Sequence, residues 1–176
     1  VELFEHSREK HTDNPYFGEK EDGEYQWITY GEFGERVDAF RGALAEMGIV
    51  AARLWERGWA ECNAGNLSVS HPPLDPGLSA PDPADRELSL SPAVPELAAT
   101  LLLVTATGSR LREVLTSPER TVAVLAVSED GRHATPLRLS DDPPPKPTSE
   151  LVSHLAVLAA ARRSGRSGQR AIVHTH

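Results

Sequence analysis

Asp130-Gly131 lies between two β-rich runs, residues 121–127 and 133–139, and this constrains the fold more than any other feature. An Asp-Gly pair favours a tight turn because its glycine tolerates positive φ. The two runs are therefore expected to form an antiparallel hairpin. Residues 101–105, L-L-L-V-T, read as a buried strand. Residues 66–69 follow a turn and begin another strand, and residues 171–176, A-I-V-H-T-H, form the final one. Residues 25–30, Y-Q-W-I-T-Y, make a short strand after a turn-like Asp22-Gly23, and residues 1–24 otherwise read as polar and charged.

Helices are expected between these strands. Thr29-Tyr30-Gly31-Glu32 opens one, and Phe33, Val37, Phe40, Leu44 and Met47 recur at spacings that give one apolar face. Gly48 reads as its C-cap. A second helix is expected over residues 51–58, with Leu54 and Trp55 as packing residues. A third covers residues 151–163, where Leu151, Leu155 and Leu158 share a face and Arg162 and Arg163 favour the C-terminal end. The Pro-, Asp- and Ser-rich residues 71–96 and the proline-rich residues 141–147 read as irregular loops.

Composition excludes several functions. The net charge of −8 argues against a general nucleic-acid binder, which needs a basic patch. No apolar run is long enough to span a bilayer, so no membrane partner is expected. The single cysteine, Cys62, cannot form an internal disulfide and fits a reducing cytoplasm. Charge is uneven: residues 1–50 hold 12 acidic and 5 basic side chains, and the remainder is nearly balanced.

Three short segments combine small polar side chains with turns or a helix start. They are Gly65-Asn66-Leu67-Ser68, residues 105–109 (T-A-T-G-S) and Thr148-Ser149-Glu150. Backbone N–H groups at such places bind anions without much positive charge. In a strand, His174 and His176 project to one face, which supplies half of a zinc site. Glu150, at a helix start, is a candidate acid/base beside such a metal. His154, one turn further on, is expected to be structural or solvated. Cys62, without a visible base or second thiol, reads as inert.

Two resemblances follow from these motifs. Residues 27–49, W-I-T-Y-G-E-F-G-E-R-V-D-A-F-R-G-A-L-A-E-M-G-I, resemble the N-terminus of adenylate-forming acyl-CoA synthetases, a stretch without catalytic residues. From about residue 50 the chain resembles the class II, zinc-dependent, aldolase family, closest to its L-rhamnulose-1-phosphate aldolases. The motifs are G-W-A-E-C-N-A-G-N-L-S-V, L-L-V-T-A-T-G-S-R-L-R, the E-D-G hairpin, K-P-T-S-E-L-V-S-H-L and A-I-V-H-T-H, in that order. Two positions depart from the family pattern: Ala64 and Ala106 stand where glycine is usual.

The second resemblance implies an α/β fold with three α/β/α layers and a mostly antiparallel central sheet. It implies that Asn66, Thr107, Gly108 and Ser109 cradle a substrate phosphate, with Thr148 and Ser149 nearby. Glu150 becomes the catalytic acid/base, and His174 and His176 become two of three zinc ligands. The reaction would split L-rhamnulose 1-phosphate into dihydroxyacetone phosphate and lactaldehyde, in an assembly that is often a homotetramer. A sister epimerase or dehydratase, a non-catalytic adducin-like module and a synthetase fragment are the alternatives. The chain thus reads as a synthetase-like piece, residues 1–49, joined to an incomplete aldolase domain, residues 50–176. The third histidine and the C-terminal part of the sheet are expected beyond residue 176, and the stretch alone is expected to be inactive.

Overall fold

A computed structural model describes residues 2–21, 24–62, 64–72, 87–138 and 142–175. The chain forms two compact units, residues 1–42 and 43–176. The turn at Asp22-Gly23 lies outside the described residues, as does most of the 71–96 excursion.

The polar N-terminal stretch holds more structure than its composition announces. Helix α1, Glu2–Lys10, has no buried residue, so it lacks the apolar stripe by which a sequence reveals a helix. Strand β1, Pro15–Glu21, pairs antiparallel with β2, Glu24–Thr29. Helix α2, Tyr30–Glu56, follows at once. Its start is a reciprocal cap. The Thr29 N–H donates to Glu32 Oε2 at 2.8 Å, and the Glu32 N–H donates to Thr29 Oγ1 at 3.2 Å. In the first unit Phe4, Tyr16, Tyr30 and Phe33 form an aromatic cluster, with Phe4 edge-on to Phe33 at 5.3 Å and Tyr16 4.4 Å from Tyr30.

The expected break at Gly48 does not occur: α2 runs through it as one helix of 27 residues. The glycine answers to packing, not capping. A Cβ at Gly48 would lie 2.9 Å from the Leu115 Cα and 2.8 Å from its Cδ1. Close approach of two backbones, which only glycine permits there, mimics a helix stop in sequence.

The second unit is built on a six-stranded, wholly antiparallel sheet in the order β4-β7-β6-β5-β3-β8. The strands are β3 (Asn66–His71), β4 (Leu88–Ser89), β5 (Leu101–Thr105), β6 (Val122–Val127), β7 (His133–Leu137) and β8 (Ala171–His174). A short helix, α3, Pro118–Thr121, leads into β6. The predicted hairpin joins β6 to β7, with Gly131 at φ +65° and Asp130 Oδ1 accepting the Arg132 N–H. Strands β5 and the central part of β6 are buried on both faces, which is why they read as unbroken apolar runs.

Helix α4, Leu151–Arg163, covers one face. Its Leu151, Leu155, Leu158 and Ala159 pack in one core with Leu102, Val104, Ala123, Leu125 and Val127. Each buried leucine contributes roughly 1.5–3 kcal/mol by leaving water. The opposite-facing Leu101, Leu103, Val122 and Val124 are equally enclosed, and Met47, Ala51 and Leu54 of α2 are buried too. This α/β architecture with an antiparallel sheet is the one that the resemblance implies.

Candidate active site

One pocket gathers all three polar segments. It is lined by Gly65, Asn66, Ala106, Thr107, Gly108, Ser109, Thr148, Ser149 and Glu150. The topology explains why. Strand β3 lies beside β5, so the start of one and the end of the other share an edge of the sheet. A bridge from Ala106 to Pro147 and the Thr148 N–H to Thr105 carbonyl bond, 3.0 Å, then pin the segment entering α4 beside the end of β5.

The donors of this pocket divide into two groups. The Ser109 hydroxyl is turned inward onto the Ala106 carbonyl at 2.6 Å. Thr148 is not the helix cap; its Oγ1 accepts the Glu150 N–H at 3.3 Å, and Glu150 is the N-cap residue. The Thr107 N–H donates to the Lys146 carbonyl at 2.8 Å. Among the described residues, the N–H groups of Gly108 and Ser149 and the hydroxyls of Thr107 and Ser149 meet no acceptor, and all three residues are exposed. These donors are available to an anion. In the turn before β3 the left-handed conformation is adopted by Cys62, at φ +55°, and by Gly65, at φ +80°.

A second pocket adjoins the first. It is lined by Glu150, Ser153, His154, Val157, Ile172, Val173 and His174, so Glu150 borders both. Strand register puts His174 directly opposite Asn66. His176 lies outside the described residues. Imidazole and carboxylate are ordinary zinc donors, so the chemistry of Glu150 and His174 in one pocket fits that ion. Among the described residues no group of three such donors converges.

His154 is not solvated: it is 2% exposed and lies within the site. Its Nε2 bonds Asn66 Oδ1, and its Nδ1 lies 2.6 Å from Ser68 Oγ. Asn66 Nδ2 lies 3.4 Å from His174 Nδ1. The signal for this group was present but subtle. Asn66 and Ser68 alternate onto one strand face, and His154 sits one helical turn from Glu150.

Burial holds the His154 imidazole below its ordinary value of 6.5; nearby His174 pushes the same way, and Glu150 opposes both. The unfolded chain therefore binds this proton more readily than the folded one. Stability conferred by neutral His154 is complete above about pH 6.5 and lost as pH falls below it. We expect the thermal midpoint to drop between pH 7 and pH 5, and His154→Phe to flatten that dependence. An equal slope in both proteins rules the assignment out.

Comparison with known proteins places this geometry. A family model described as "Class II Aldolase and Adducin N-terminal domain" matches residues 45–176. The rhamnulose-1-phosphate aldolase of Bacteroides thetaiotaomicron is 31% identical over 143 residues, which is 81% of this chain and 52% of that protein. The enzyme of the same name from Pectobacterium atrosepticum is 33% identical over 126 residues, covering 70% of this chain and 45% of the relative. A crystal structure of a sugar-phosphate aldolase from Thermotoga maritima superposes with a TM-score of 0.62 at 32% identity, over 78% of this chain and 54% of that one. The chain spans about half the length of the curated relatives it matches. The first 44 residues lie outside the family match, and none of these relatives is described as an adenylate-forming enzyme. From residue 45 onward the chain belongs to the class II aldolase and adducin N-terminal domain family.

Proposed function

We propose that this protein is a zinc-dependent aldolase that cleaves a ketose 1-phosphate, L-rhamnulose 1-phosphate, to dihydroxyacetone phosphate and lactaldehyde. The observation that carries the reading is the position of Glu150, which borders an anion-accepting pocket on one side and the His174 pocket on the other. The substrate phosphate is held by the Gly108 and Ser149 N–H groups and the Thr107 and Ser149 hydroxyls, above Asn66. Ser109 and Thr148 support the pocket through their own backbone bonds. Glu150 gives and takes the proton at the carbon next to the carbonyl, as a positioned carboxyl can. His174 and His176 hold the zinc, together with a donor that the described residues do not supply. Zinc, when bound, supplies Lewis acidity that draws charge onto a substrate oxygen.

The relatives named rhamnulose-1-phosphate aldolase support this substrate. A sister epimerase or dehydratase would share the pocket but leave the carbon chain uncleaved. An adducin-like module would have no turnover. The resemblance of residues 1–49 to acyl-CoA synthetases is a proposal about ancestry and has no part in this chemistry. Incubating the purified protein with L-rhamnulose 1-phosphate and zinc, with an NADH-coupled readout of dihydroxyacetone phosphate, separates these readings. Triose phosphate that disappears with a chelator and returns with zinc would bear out the aldolase reading and overturn the inactivity expected of this stretch alone, whereas zinc binding without turnover would bear that expectation out. Isomerised or dehydrated sugar without triose phosphate would transfer the protein to a sister activity. Among the described residues no helix is long and apolar enough to cross a membrane. We place the reaction in the cytoplasm, in an assembly of several copies.

A further inference from the structure

Asn66 begins strand β3 and lines the anion pocket, and the buried His154 of α4 bonds its side chain. An asparagine amide has two unlike ends: Oδ1 only accepts and Nδ2 only donates. Which end a bound anion meets depends on how the amide is turned. Turned one way, it adds a donor to the pocket. Turned the other way, it sets a carbonyl oxygen against the anion.

His154, which does not line that pocket, fixes the choice. Its Nε2 meets Asn66 Oδ1, and its Nδ1 lies 2.6 Å from Ser68 Oγ. A neutral imidazole has one donor nitrogen and one acceptor nitrogen. If Nε2 holds the proton, it donates to Oδ1, and the Ser68 hydroxyl donates to Nδ1. If Nδ1 holds it, His154 donates to Ser68 Oγ, and the amide must turn over so that Nδ2 donates to Nε2. Both arrangements satisfy the imidazole. They differ at Ser68, which is fully buried and whose Oγ meets only His154 among the described hydrogen bonds. In the second arrangement its hydroxyl proton has no acceptor, which costs stability when buried. The first arrangement is therefore the ground state.

In that state Nδ2 is turned away from His154. One of its two hydrogens serves His174 Nδ1, 3.4 Å from the nitrogen. The other has no acceptor among the described hydrogen bonds, on a residue that lines the anion pocket.

We propose that His154 is a positioning residue of the anion pocket: through its Nε2–H it holds the Asn66 amide with the nitrogen outward, adding a donor to those of Thr107, Gly108 and Ser149. The ligand class is a phosphate group, and the proposal rests on the reading of this pocket as the place of the substrate phosphate. A serine and a histidine outside the pocket thus decide which end of the amide dipole the phosphate meets.

Nitrogen-15 spectra of the unaltered protein supply two tests. At about pH 8.5, above the ordinary histidine range, long-range proton–nitrogen correlations should place the His154 proton on Nε2. A proton on Nδ1 overturns the proposal. On titration with inorganic phosphate, the backbone signals of Gly108 and Ser149 and the Asn66 side-chain NH2 pair should shift together to saturation. Shifts at Gly108 and Ser149 with an unmoved Asn66 pair overturn the positioning role and leave the phosphate reading standing. No shift at any of the three removes the phosphate reading, and the proposal with it.

Two variants separate positioning from space-filling. His154→Phe keeps a ring and removes the donor. With the amide free to take either orientation, only part of the population presents Nδ2, and phosphate affinity should fall at least about twofold. His154→Gln returns an amide N–H to the region of Nε2 and should recover most of that loss. If His154→Phe binds phosphate as well as the unaltered protein, or better than His154→Gln, the proposal is overturned. Both tests on the unaltered protein hold whether or not the variants fold.

Discussion

On the acid/base role proposed for Glu150, Glu150→Gln is expected to lower kcat for aldol cleavage roughly 10²–10⁴-fold, the contribution of a well-placed acid/base group. Glutamine keeps the size and one carbonyl oxygen of the side chain but cannot exchange a proton. The backbone should not move. The Glu150 N–H is held by Thr148 Oγ1 at 3.3 Å, and the Ser153 hydroxyl that donates to its Oε2 at 3.5 Å can donate to a glutamine oxygen. Binding of inorganic phosphate and of zinc should therefore be retained while turnover collapses. The decisive companion measurement is exchange of the dihydroxyacetone phosphate carbon-bound proton with deuterated solvent. Exchange that survives the substitution would assign the proton transfer to another group.

Gly131→Ala will destabilise the second unit by roughly 3 kcal/mol or more. Two costs add. The residue has φ +65°, a conformation that strains any side chain by about 1 kcal/mol or more. The new Cβ would also lie 2.5 Å from the carbonyl carbon of Val94 and 2.6 Å from the nitrogen of Pro95. Those are backbone atoms, which cannot rotate aside, and overpacking of this kind costs about 1–3 kcal/mol. The contact is held from both directions, because the Gly131 carbonyl accepts the Val94 N–H at 2.8 Å and its own N–H donates to Ser128. Against a total stability of about 5–15 kcal/mol, the loss is severe. Urea unfolding should show a lower midpoint at unchanged slope. Gly168→Ala is the control, since a Cβ there meets nothing within 4 Å. If the two alanine variants unfold within about 1 kcal/mol of each other, the turn is not as tightly docked as described.

What could be read from sequence followed how far each signal reaches along the chain. Strand β5, the Asp130-Gly131 hairpin and helix α4 declare themselves within a few residues, and their bounds agree closely with expectation. Helix α1 was missed because it buries no residue, and strand β1 because its charges conceal the period. The continuity of α2 was hidden by Gly48, whose reason is Leu115, far along the chain. The meeting of the three polar segments in one pocket was legible because a turn, a strand end and a helix start each advertise free N–H groups. The role of each hydroxyl was not, since Ser109 and Thr148 spend theirs on the backbone only once β5 and α4 have met. His154 was expected to be structural or solvated; it is structural, and which of the two was not legible for the same reason. Its partners come from strand β3 and lie more than eighty residues away.

Ile172 has no chemistry of its own, yet it decides what His174 presents. Strand β8 meets β3 through four residue pairs, in which Ser68 faces Ile172 and Asn66 faces His174. Ile172 packs against the core beneath α4 and shares a strand face with His174. Sliding β8 by one residue would lift the isoleucine out of that core and turn the imidazole to the opposite side of the sheet. An oily residue two places away thus works as the gauge that aligns the His174 ring, and any constraint on where that ring points becomes a constraint on the greasiness of position 172.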